Sequence, residues 1–136
     1  MNTYTTTGRH LLQLLACWLA LALPAALAQE GHPLTGSWSG NRSVDGKNSR
    51  ILLVVELARD QTLSGYVLEQ GKRVPLESVQ VDPTTWTVSF ALGASEGGPR
   101  YTVQASFDDM GSATSRKLLG RWNDGKASGD FSVQLN

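Results

Sequence analysis

Chemistry near neutral pH needs a side chain that titrates there, or a bound metal, and this sequence is sparing with both. Downstream of residue 28 it holds one histidine, His32, four residues before the first strand-like run. A Ser-His-Asp triad therefore lacks its base, and His32 reads as a solvated linker residue. Asp108-Asp109 could join Asp60, Asp124 or Glu56 as an acid/base couple or a calcium site. Adjacent carboxylates at a strand end also cap loops, which is the expectation here. Gly93 to Pro99 is glycine-rich, but no Lys-Ser/Thr ending and no helix follow it, so it reads as a loop or lid and not as a phosphate cradle. No catalytic residue, metal ligand or cofactor is expected, and an enzyme ranks last among the functions.

The aromatic residues carry the remaining signal. Trp38, Trp86, Phe90, Tyr101, Phe107, Trp122 and Phe131 all fall on phases that face inward if their segments are strands. A small barrel either fills its interior with side chains or leaves room for one ligand. Two readings of these rings thus stay open: a packed core, or an aromatic-lined pocket with Trp38, Trp86, Phe90, Tyr101 and Trp122 as its ligand-binding residues.

The elements that position them are strands. Trp86 to Leu92, Tyr101 to Phe107 and Phe131 to Leu135 alternate large apolar residues with small or hydroxylic ones, and no segment of helical length shows a 3.6-residue period. Gly36 to Ser43, Arg50 to Ala58, Leu63 to Gln70, Arg73 to Val81 and Lys117 to Asn123 complete eight runs. Turn residues such as Asp45-Gly46, Gly71-Lys72, Asp82-Pro83 and Asp124-Gly125 separate them. With no helix to cover a sheet, the apolar faces must meet one another in a barrel or a sandwich, and hairpin-length loops favour the barrel. The expected fold is all-β: an eight-stranded antiparallel up-and-down barrel over residues 36–136.

Two irregularities refine this. The apolar phase switches between Val74/Leu76 and Val79/Val81, which predicts a bulge near Glu77-Ser78. In Ile51 to Leu57 both faces are apolar, so Leu52 and Val54 should point outward as scatter, a subunit interface or an interaction patch. Gly36 and Gly40 flank Trp38 on one face, where small neighbours would let the indole lie flat across a barrel end.

The first 28 residues read as a signal peptide. Arg9 and His10 precede an apolar run from Leu11 to Ala28, and Ala26-Leu27-Ala28 offers small residues for cleavage. A retained anchor and a lipoprotein acylated at Cys17, within Leu14-Leu15-Ala16-Cys17, are the alternatives. Residues 29–35 form a linker to the barrel. Loss of Cys17 with the leader leaves no cysteine, so no disulfide or thiolate metal site. Loss of Arg9 leaves 11 basic against 12 acidic residues, a balance that argues against nucleic acid or an anionic membrane surface as partner. Export to a bacterial periplasm, with no membrane span in the mature form, is the expectation.

Gly36-Ser37-Trp38 on a first strand, with seven more strands in a meander, resembles the calycin group, the lipocalins and avidins, whose first strand carries a Gly-x-Trp motif. Leu34-Thr35-Gly36-Ser37-Trp38 followed by Leu63-Ser64-Gly65-Tyr66 looks most like avidin-like barrels. The biotin site does not carry over: Ser39-Gly40-Asn41 matches its polar clamp only in part, and Leu118-Leu119-Gly120-Arg121-Trp122 departs from the late Trp-Leu-Leu segment. The resemblance implies that Arg121 packs over Trp38, as a closing-strand arginine does in lipocalins. It also implies a non-catalytic binding protein that holds a small apolar or aromatic ligand. The alternative is a protein-binding barrel, such as a periplasmic hydrolase inhibitor or adaptor, acting through the Leu52/Val54 face or through polar loops at Arg42 to Arg50 and Asp108 to Arg116.

Overall fold

The computed structural model describes residues 31–93, 100–112 and 114–136, so the leader and most of the glycine-rich loop lie outside the described residues. The chain divides into two units, Met1–Pro33 and Leu34–Asn136. The second is built from β1 (Gly36–Val44), β2 (Lys47–Leu57), β3 (Leu63–Glu69), β4 (Lys72–Asp82), β5 (Thr87–Leu92), β6 (Thr102–Asp108), β7 (Lys117–Asn123) and β8 (Ser128–Leu135). Each strand pairs antiparallel with the next, and β8 returns to β1 to close the barrel.

Alternation decides which residues face the core. In β5, Val88, Phe90 and Leu92 are buried while Thr87, Ser89 and Ala91 are not; β6 repeats the pattern with Val103 and Ala105. Apart from Arg42 and Glu69 the inward set is apolar, and the outer wall is rich in Ser, Thr, Asn and Gln. Among the described residues, no helix is long and apolar enough to cross a membrane.

Turn chemistry sets the register. Asp45-Gly46 and Gln70-Gly71 both take positive φ at two successive residues, the two-residue connection whose twist matches a hairpin. The second turn thus falls one residue earlier than Gly71-Lys72. The Asp124 carboxylate accepts the N–H groups of Lys126 and Ala127 to tie the β7–β8 turn. These three turns and the β5–β6 connection lie at one end of the barrel, end B; the other three loops and the start of β1 lie at end A.

The β4–β5 pairing shifts register between Leu76 and Ser78, where the phase switch predicts a bulge. Gly40, beside Trp38, has a further job: a Cβ there would collide with the backbone of Ser132 and Val133, so its missing side chain lets β1 lie close against β8. Gly120 does the same for β7 against Gln104 and Ala105 of β6.

The region from Arg42 to Arg50, expected as a recognition loop, is instead strand on both sides of a two-residue turn. Leu34, placed in the linker by its sequence, is wholly buried.

Candidate functional site

At end A, Trp38 is fully buried and donates its indole N–H to the Leu34 carbonyl at 2.9 Å. Its ring meets Phe107 at 6.2 Å between centroids. Deeper in, Phe90 packs edge-on against Phe131 at 5.7 Å. At end B, Tyr101 packs against Trp122 at 5.8 Å. Four of the five proposed pocket residues, Trp38, Phe90, Tyr101 and Trp122, are therefore buried, each against another ring, at successive levels of one interior.

Trp86 departs from the inward phase. Its φ of 54° ends the extended alternation before Thr87, where β5 begins, and its side chain emerges 41% exposed. It packs edge-on against Phe107 from the rim, and its carbonyl accepts the Phe107 N–H. Arg121 also departs from expectation: it lies on the outer wall, paired with exposed Asp130 at 3.1 Å, away from Trp38. Alternation along β7 dictates this, because Trp122 faces in and its neighbour must face out.

The arginine inside the barrel is Arg42. Its Nε donates to both carboxylate oxygens of Glu69, at 2.9 and 3.0 Å. Glu69 also accepts from Ser49 Oγ at 2.6 Å and from the Tyr101 hydroxyl at 3.3 Å. The guanidinium carbon lies 4.2 Å from the Tyr101 ring centroid and 4.6 Å from that of Trp122, a cation in contact with both rings where they meet each other. Trp122 is held by an indole N–H donated to the Ser43 carbonyl at 2.7 Å. Burial, and then the Glu69 carboxylate, push the Tyr101 hydroxyl well above its ordinary pKa.

Neither Arg42 nor Glu69 stands out in the sequence by residue type. Counting by two would have found them: Trp38, Gly40, Arg42 on β1 and Gly65, Val67, Glu69 on β3 share the inward phase.

The carboxylates weighed as a metal or acid/base site do not converge. Among the described residues, no group of three or more His, Cys, Asp or Glu side chains is placed to hold a metal. Asp60 accepts from Thr62, and Asp109 from Ser115, each tying its own loop.

On the outer wall, Leu52 and Val54 are half-buried. Leu52 pairs across the strands with Leu68, which is 37% exposed, and Val54 with Tyr66, over whose ring Arg73 lies at 3.7 Å. Beside them runs a groove of about 680 Å³ lined by Asn41, Arg50, Leu52 and Leu68. A second groove, about 610 Å³, crosses β4 to β7 past Gln80, Ser89, Gln104 and exposed Leu119. Both open on the outer wall.

No family model matches the chain, and neither the curated proteins nor the solved structures contain a match to it.

Proposed function

We propose that this is an exported, non-catalytic, calycin-like barrel that binds a protein through its outer wall. The observation that carries this reading is the packing of Trp38, Phe90, Tyr101 and Trp122 against other rings. Rings already in contact with one another offer little surface to an interior ligand of the kind the resemblance implies. The buried carboxylate that could serve as a base, Glu69, already accepts hydrogen bonds from three side chains.

The recognition face is the β2–β3 wall around Leu52, Val54, Tyr66 and Leu68. Apolar side chains clustered on an otherwise polar wall mark interaction sites more often than scattered ones do. Arg50 and Arg73 border this cluster and form no ion pair among the described residues. The partner that fits is a protein with an apolar patch edged by carboxylates, such as an exported hydrolase or its adaptor.

The test compares Leu68→Asp and Leu52→Asp with Leu119→Asp, an equally exposed leucine on the opposite wall. In affinity capture from a periplasmic extract, the first two variants should lose a partner that wild type and Leu119→Asp retain. Equal behaviour of all variants, or a saturable change in tryptophan fluorescence on titration with small apolar compounds, would overturn the reading in favour of an interior ligand.

A further inference from the structure

The outward row of β2 reads Arg50, Leu52, Val54, Glu56: a cation, two apolar side chains and an anion at every second residue. Both charged residues are exposed, and neither forms an ion pair among the described residues. They cannot pair with each other, because six residues of extended strand hold them about 20 Å apart. Leu68 stands opposite Leu52 and Tyr66 opposite Val54, which widens the apolar centre to two strands, while β3 sets only Ser64 opposite Glu56.

Such a row is its own complement when turned end over end. Rotation by half a turn about an axis that crosses the strands between Leu52 and Val54 lays Leu52 on Val54 and Leu68 on Tyr66 of a second copy. The same rotation brings Arg50 of each copy to Glu56 of the other, so every contact occurs twice. Rotation about an axis along the strands would instead leave like charges at the same end. The charges therefore select one orientation, as charges at an interface rim do.

We propose that two copies of this chain pair face to face through the β2–β3 wall in that orientation, so that the wall is covered by its own copy until another protein displaces it. This rests on the reading of the wall as the recognition face and adds its regulation. A second copy fits because it presents what the wall selects, an apolar patch edged by a carboxylate. The patch is only about 20 Å long over two strands of a convex barrel, well short of the roughly 800 Å² per partner of a standard interface. The dimer is accordingly weak, formed at high concentration and open to competition.

Sedimentation equilibrium of the purified full chain up to about 1 mM, at low ionic strength where surface charge is least screened, tests this. Wild type and Leu119→Asp should move from monomer towards dimer, and Leu68→Asp should not. Arg50→Glu and Glu56→Arg each set like charges together twice per dimer and should each weaken self-association about tenfold. Mixed with each other, these two single variants become complementary and should associate as wild type does. A wild type that stays monomeric overturns the proposal, as does a dimer indifferent to Leu68→Asp, or a mixture of the two charge variants that stays monomeric. The capture experiment fails or succeeds separately. A captured partner lost in Leu68→Asp, beside a monomeric wild type, keeps the recognition face and removes the second copy; a dimer lost in Leu68→Asp, with nothing else captured, keeps the second copy and removes the exported hydrolase.

Discussion

Arg42 and Glu69, one on β1 and the other on β3, meet inside an otherwise apolar barrel with Nε 2.9 Å from Oε1. Removing charges from water costs several kcal/mol per ion, and the attraction between them recovers it only when both remain. Arg42→Ala or Glu69→Ala should each destabilise the fold by about 3–5 kcal/mol, because each strands the other's charge. Replacing both with Met and Leu should cost far less than the sum, or even stabilise. Chemical denaturation of the two single variants and the double variant measures this coupling. Additive losses would show that the pair does not interact as the geometry says.

Trp38 and Trp86 both touch Phe107, at 6.2 Å each, yet they differ in what surrounds them. Trp38 is wholly enclosed, so Trp38→Ala loses both its apolar transfer energy and the packing around it, about 3–5 kcal/mol. Trp86 is 41% exposed, and Trp86→Ala should cost under about 1.5 kcal/mol, the edge contact with Phe107 being its main loss. Thermal unfolding of the two variants should therefore separate widely. A similar loss from both would contradict the rim position of Trp86.

The strand pattern was readable because the chain obeys a two-residue period almost everywhere, down to the bulge at Leu76/Ser78. Trp86 misled because it shares the phase of Val88 and Phe90 while its left-handed backbone, at φ 54°, turns it out of the strand. Nothing in residue type signals a positive φ at a tryptophan, where steric cost makes it rare. Arg42 and Glu69 were passed over for the opposite reason. Arg42 falls in the span expected as a polar loop and Glu69 near the end of a strand, and charged residues are seldom buried unless paired, so neither residue type points to the core. Their pairing depends on β1 and β3 both flanking β2, which a local pattern does not contain.

Gly40 and Gly120 should be intolerant of a single methyl group. At both positions an added Cβ runs into the backbone of the adjoining strand, which cannot move without opening the barrel. Gly40→Ala and Gly120→Ala should each cost at least about 1–3 kcal/mol, the range for overpacking. Gly111 is the control: nothing lies within 4 Å of its would-be Cβ, so Gly111→Ala should be close to neutral. If urea midpoints show all three variants unchanged, the close approaches of β1 to β8 and of β7 to β6 are not there.

Tyr101 should make the barrel sensitive to alkali. Its hydroxyl is buried beside Glu69, so its folded-state pKa lies above the unfolded value of about 10. For an acid raised in this way, the unfolded chain releases its proton first. The contribution to stability is therefore complete below about pH 10 and is lost as the pH climbs beyond it. Absorbance of tyrosinate against pH should show Tyr101 ionising late and together with loss of the folded signal. Tyr101→Phe should abolish the late phase and flatten the alkaline fall in stability, at the cost of one hydrogen bond to Glu69, about 1 kcal/mol near neutrality. An unchanged alkaline midpoint in Tyr101→Phe would mean that another group governs unfolding there, and would remove Tyr101 from the buried cluster around Glu69.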